Sequence, residues 1–417
     1  MNYLRNAFAP WLGALVVGTL LGLGSHGSAL AKEFVIGVQC DRSGPTQTVG
    51  AFLCDGSIDY IKLFNKKQML GPGNTVRWFE IEHAYNVPRG MESYERQKEA
   101  GALSISIYGT PHTKALTPKL AEDHILGTSP GFGSADGANG LEYPYLFPVA
   151  ASYWSQAGAA VKFVLDKAKA EGKSGKGLKI AYLFYDNPAG REPLLVLEAI
   201  QKIEGFQLQT YAIPPPGVEM RPQVLDIARN YKADWVIAHI FGRGPSVSIK
   251  ELSRVRFPID HVISFVWGSG ESDVDAAGWD TAQGYYGLQL VGVGQDHKVL
   301  EEIRNMYKEE GKPAPEGMAK SVYYNRGVAW AAMHARALQL AVQKYGPNVT
   351  SEQVKEGMES IHSFTLDGLL PPIEMSRKDH EGGGWVRVYQ VKGDKWVPVT
   401  DFFHGYRDLI SKMVWGS

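Results

Sequence analysis

Cysteine is nearly missing from this chain: two residues in 417, Cys40 and Cys54. Two thiols cannot complete a structural metal site or staple a small disulfide fold, so an apolar core must hold the chain together. The pair stands as one short-loop bridge or as two buried thiols, because Cys54 also falls on the apolar stripe of a helix. An excess of either charge is missing too. The formal net charge is −1, which provides no basic surface for nucleic acid or an anionic membrane. Past residue 31, no apolar run approaches the ~20 residues that span a bilayer. Catalytic signatures are equally scarce, since H-E-x-x-H and the P-loop do not occur. Gly268-Ser-Gly270 is too short for a nucleophile elbow, and Gly131-Phe-Gly133 lacks the third glycine of a dinucleotide fingerprint. Asp379-His380 looks catalytic in isolation but lies late in the chain, outside the βα rhythm described next. Neither a catalytic residue, a metal nor a cofactor is expected.

What is present begins with Arg5, an apolar run over 11–23 and Ala29-Leu-Ala31, the order of a cleaved Sec signal peptide over 1–31. Export to the periplasm is the expectation, with a mature chain of 386 residues starting at Lys32, room for two lobes. Apolar strands at 34–38, 76–81, 104–108 and 125–128 alternate with helical patterns, the first carrying Ala51, Cys54, Ile58, Ile61 and Phe64 at three and four spacing. A second series follows, with strands at 178–185, 211–216, 235–241 and 261–266 and helices at 193–204, 224–231 and 247–254. Such alternation predicts an α/β fold with parallel, doubly wound sheets. A strand at 284–291, helices at 298–310, 322–344 and 352–360, and a hairpin of 385–391 with 396–399 complete the chain.

Two stretches interrupt the pattern in the same way. Ser106-Ile-Tyr-Gly-Thr-Pro-His-Thr113 and Leu126-Gly-Thr-Ser-Pro-Gly-Phe-Gly-Ser134 each pass from an apolar strand into glycine, proline and hydroxyl residues. At the carboxyl edge of a parallel sheet such turns admit a solute to the main chain. Thr110, His112, Thr113, Ser129, Gly131, Phe132 and Gly133 are therefore candidate contacts.

The ordered landmarks resemble the type I periplasmic solute-binding proteins of ABC importers, in the branched-chain amino-acid-binding branch. They are Ile36-Gly-Val-Gln-Cys-Asp-Arg-Ser-Gly-Pro45, Asp55-Gly56, Asn65, Thr128-Ser-Pro130, Leu146-Phe147, Ala181-Tyr-Leu-Phe-Tyr-Asp186, Ala233-Asp-Trp-Val236, Asp367-Gly368, Asp379-His380 and Trp396-Val-Pro-Val399. The resemblance covers essentially the whole mature chain. It implies two lobes, 32–152 with 285–365 and 153–284 with 366–417, joined by three crossings near Tyr153, Gly284 and Leu366. It also implies hinge closure on a small-molecule solute, membrane permease subunits as partners, no nucleic acid and a monomer.

Amino-acid binders of that branch hold the ligand's ammonium with a carboxylate from the second lobe; threading by the glycines puts Trp267 there, with Glu271 four residues on. The hydroxyl after the family's Ser-Pro turn falls at Gly133, and the tyrosine of the second lobe's first loop at Ala189. Phe132, Tyr153, Trp154, Phe241 and Trp267 offer aromatic surface instead, and Arg243, in Phe241-Gly-Arg-Gly-Pro245, offers a bidentate cation. The expectation is a transport receptor for a small organic acid with a hydrophobic or aromatic body. Alternatives are a binder of amino acids or amides, a ligand-sensing module for a signalling partner, and a small amide or ester hydrolase.

Overall fold

The computed structural model describes residues 31–214 and 217–416. The expected signal peptide, Ala31 apart, and the expected turn at Pro215 and Pro216 lie outside the described residues. Two sheets organise the chain. The first contains β1 (Glu33–Cys40), β2 (Thr75–Glu82), β3 (Ala102–Ser106), β4 (Leu126–Thr128) and β5 (Leu146–Phe147), parallel throughout and ordered β2-β1-β3-β4-β5. The second contains β6 (Lys179–Tyr185), β7 (Gln207–Ile213), β8 (Trp235–His239), β9 (Val262–Ser264), β10 (Tyr286–Gln289), β11 (Arg387–Lys392) and β12 (Lys395–Pro398). Its order is β12-β11-β10-β9-β8-β6-β7, parallel except for the terminal hairpin, which runs antiparallel to β10.

The central strands explain themselves. β8 is buried along its whole length and β6 along all but its first residue, as continuous apolar runs must be when helices cover both faces of a parallel sheet. Helix Gln47–Lys66 buries Cys54, Ile61 and Phe64 of the predicted stripe together with Val49 and Leu53, while Ala51 and Ile58 are half-buried. Against it lies helix Val322–Tyr345, pinned to the first sheet by His334. Its ring nitrogens bond Ser104 Oγ at 2.9 Å and Thr128 Oγ1 at 2.8 Å.

Cys40 and Cys54 form a disulfide with 6.4 Å between Cα atoms. It ties the end of β1 to the following helix and brackets the Asp41–Thr46 loop. That loop passes so close to the helix that a Cβ on Gly50 would sit 1.9 Å from the Asp41 carbonyl oxygen, so only glycine allows the approach.

Three features correct the sequence reading. The stretch 106–113 is not an open turn, because a helix, Thr110–Asp123, begins within it with Gly109 at its N-cap (φ 98°). β10, placed with lobe 1, pairs with β9 and β11 in the second sheet. The next residues return to the first lobe at once, Gly292 N–H donating to Leu369 O at 2.8 Å, so that crossing falls at 290–291 rather than at Gly284. The last crossing also comes later than Leu366: His380 still binds the first lobe through its N–H to Ala138 O and its Nδ1 at Leu146 O. It lies at 381–386, beside the first crossing at 148–152. Glu381 joins the two, accepting from Ser152 N–H at 2.8 Å and Ser155 Oγ at 2.6 Å and pairing with Arg407. Asp379 pairs with Arg407 at 2.7 Å and His380 stacks on Phe147, so this motif serves the hinge.

Candidate functional site

Residues that follow β1, β2, β3 and β4 in the first sheet meet residues that follow β8 and β9 in the second. Thr46, Val49, Tyr85, Tyr108 and Phe132 face Tyr153, Phe241 and Trp267 across one cavity, and no charged side chain among the described residues lines it. Its free volume is about 10 Å³, about the room of one water molecule. The cleft is shut.

Its floor and mouth differ. At the floor, Phe132 and Trp267 are 5% and 2% exposed and stack with centroids 4.6 Å apart and planes 11° from parallel, the geometry of a favourable aromatic pair. Trp267 Nε1–H donates across the cleft to Gly131 O at 2.6 Å. The Arg326 guanidinium also lies over this indole, 4.9 Å from the ring centroid. Arg326 is wholly buried and donates to Gln289 Oε1 at 2.5 Å, so the floor is held from beneath. At the mouth, Tyr85 and Phe241 are half-buried and approach to 6.5 Å. Tyr85 reaches there because Ala84 and Tyr85 take left-handed backbone angles, φ 50° and 57°.

A second link between the lobes is ionic. The Glu192 carboxylate crosses to the first lobe and accepts the N–H groups of Ser134 at 2.8 Å and Ala135 at 2.9 Å, with Lys114 Nζ at 3.7 Å. Burial pushes its pKa up, while the Ser134 N–H, Lys114 and the Ala135 N–H pull it down. Gly133 makes room for it, since a Cβ there would lie 2.4 Å from Glu192 Oε2. The position where a hydroxyl was expected from the family pattern is thus filled by a carboxylate of the chain itself.

Of the residues singled out from sequence, Phe132, Tyr153, Phe241 and Trp267 line the cavity. Thr110 Oγ1 accepts the Gly133 N–H at 2.9 Å, joining the two turns, so that N–H is already engaged. Gly131 contributes its carbonyl to Trp267. Ser129 is fully buried, its Oγ without a partner among the described residues. The others lie elsewhere. Thr113 Oγ1 bonds back to Gly109 O inside its own helix. His112 stacks on His83 at 4.0 Å behind Tyr85, and burial lowers its pKa. Trp154 Nε1 donates to Glu192 O at 3.2 Å, outside the cavity. Arg243 is exposed at the N-cap of helix Gly244–Arg254, two residues beyond Phe241. Glu271 accepts the Val322 N–H at 2.6 Å and so caps a helix.

Thr46, Val49, Tyr85, Tyr108 and Glu192 were not singled out. Tyr108 stands within the first quoted turn and Thr46 directly after Gly44-Pro45, so position alone marks them; Glu192 bears no local signal. Another hollow, of about 340 Å³, lies away from the cleft between Tyr60, Arg336 and Asp367. Three of its charges are already paired, Lys67 with Glu302 at 2.7 Å and Asp367 with Lys298 at 3.3 Å.

Comparison with known proteins places this geometry. A family model described as periplasmic binding protein matches residues 33–395. No curated protein matches. A solved structure described as an ABC transporter permease from the Pseudomonas fluorescens group is 30% identical, with a TM-score of 0.82 over 92% of this chain and 94% of that one. A branched-chain amino acid ABC transporter from Thermus thermophilus with bound valine gives 18% and 0.80, covering 93% and 100%. A fatty acid ABC transporter substrate-binding protein from Thermomonospora curvata gives 16% and 0.76, covering 90% and 93%. The chain therefore belongs to the periplasmic binding protein family and has the type I fold.

Proposed function

We propose that this protein is the extracytoplasmic solute receptor of an ABC importer and that it captures a small organic acid with a hydrophobic or aromatic body by closing its lobes. One observation carries the reading: six of the eight residues lining the inter-lobe cavity are aromatic and none is charged. Such a surface rewards a flat apolar body, at about 0.5–1.5 kcal/mol per ring contact beyond area burial. It offers no counter-ion to an α-ammonium group, since Trp267 stands where amino-acid binders place a carboxylate. Valine and fatty acids, named for two structures of this fold, both carry a carboxylate on an apolar body. The acid group is assigned to Arg243, exposed two residues beyond Phe241, and the solute enters while the lobes are apart, with Phe241 and Trp267 drawn away from Tyr85 and Phe132. Hinge closure delivers the loaded receptor to permease subunits.

A thermal-shift screen over aromatic acids, aliphatic acids, amino acids and amides tests this. A solute at 100 times its Kd raises stability by about 2.7 kcal/mol, and an aromatic acid should give the largest shift. Leucine or valine giving it refutes the assignment. Because Arg243 is solvent-exposed, Arg243→Ala should weaken the acid by about 1 kcal/mol, the upper range for an exposed ion pair. Undiminished affinity removes Arg243 from the site.

A further inference from the structure

Behind the cavity wall a chain of hydrogen bonds has only one possible direction. Asp41 is fully buried, and its carboxylate accepts Gly44 N–H at 2.6 Å, Thr46 N–H at 2.9 Å and Thr46 Oγ1–H at 2.6 Å. An ionised carboxylate only accepts, so the Thr46 hydroxyl proton is committed to Asp41. Tyr108 Oη lies 3.0 Å from Thr46 Oγ1 and 3.4 Å from Thr46 O. Whichever it uses, Tyr108 is the donor. Burial holds that phenol neutral, its pKa well above the usual value. Its proton is therefore engaged at Thr46, and among the described residues no group donates to its oxygen. The disulfide and the close packing at Gly50 fix the loop that imposes this order.

We infer that Tyr108 is a specificity-determining residue that presents a fixed hydrogen-bond acceptor to the solute, with Thr46 and Asp41 as positioning residues that hold its proton back. The inference rests on the proposed function and narrows it: the favoured solute is an aromatic acid that also carries a hydroxyl donor. A donor–acceptor site rejects an analogue that cannot donate far better than an apolar wall rejects one of different size, because its buried acceptor is then left unpaired. A methyl ether in place of the hydroxyl turns two lone pairs towards each other. It should be excluded even though it is more hydrophobic.

The test is calorimetric titration of the wild-type chain with benzoate, the three hydroxybenzoates and the three methoxybenzoates. At least one hydroxy isomer is expected to bind ten-fold or more tighter than both its methoxy counterpart and benzoate. In Tyr108→Phe that preference should fall to about two-fold. Thr46→Val leaves Tyr108 in place with only the longer contact to the residue-46 carbonyl, 3.4 Å in the wild type, to hold its proton, so the matching methoxy isomer should gain affinity relative to wild type. Equal binding of benzoate, hydroxy and methoxy acids overturns the inference and leaves the aromatic-acid reading standing, as does a preference that survives Tyr108→Phe. Failure of every ring acid to bind overturns both.

Discussion

Trp267→Leu probes the closure on which the account depends. Leucine keeps the floor apolar but removes two things that exist only when the lobes meet: the ring stack on Phe132 and the Nε1–H bond to Gly131 O. The stack contributes about 0.5–1.5 kcal/mol beyond area burial, and a single hydrogen bond about 0.5–1.5 kcal/mol net. Because both belong to the closed state alone, their sum of about 2 kcal/mol passes into the affinity for any solute that drives closure. That is roughly a 30-fold rise in Kd, at about 1.4 kcal/mol per decade. Titration calorimetry with the strongest binder from the solute screen reads it directly. Thermal unfolding of the empty protein separates a loss of closure from a loss of fold. An unchanged Kd in a folded variant refutes the clasp.

Three further outcomes follow. Glu192→Ala strips the Ser134 and Ala135 N–H groups of their inter-lobe partner, worth about 1.5–3 kcal/mol for bonds to a charged acceptor. The unliganded protein should then scatter X-rays as a more open particle, and an identical scattering curve would show that Glu192 does not hold the lobes. Replacing Cys40 and Cys54 with serine opens a loop whose closure is worth about 3 kcal/mol; urea unfolding should show a lower midpoint at unchanged slope, whereas an unchanged midpoint would mean the bridge adds nothing. Burial lowers the pKa of His239 and His334 to about 3, below the unfolded value near 6.5. Their contribution is therefore complete above about pH 6.5 and is lost as pH falls towards 3, about 2 kcal/mol each by pH 5. His334→Gln should flatten the fall in Tm between pH 7 and pH 5, and an equal slope in the variant would contradict the assignment.

Much of this architecture is legible in the residues themselves. Strands such as β6 and β8 are continuous apolar runs, and Cys54, Ile61 and Phe64 keep helical spacing, because burial on both faces of a parallel sheet imposes those periods. Trp267 comes from the family resemblance, threaded by the glycines of its turn, and it lines the inter-lobe cavity. What local pattern does not encode is direction and long-range pairing. His112 turns inward onto His83 because a helix already begins at Thr110, and Arg243 points to solvent because it caps the next helix. Glu192 meets Ser134 fifty-eight residues away, a contact that no spacing rule reports. β10 joins the second sheet because β11, almost a hundred residues later, pairs with it, so the crossing after it could not be fixed by reading forward.

The most direct measurement is a competition titration of the purified protein with an aromatic acid against leucine and valine, followed by recovery and analysis of the bound solute. The account predicts that the acid saturates one site, resists displacement by either amino acid and returns chemically unchanged. Tight binding of leucine or valine with no response to the acid would contradict it.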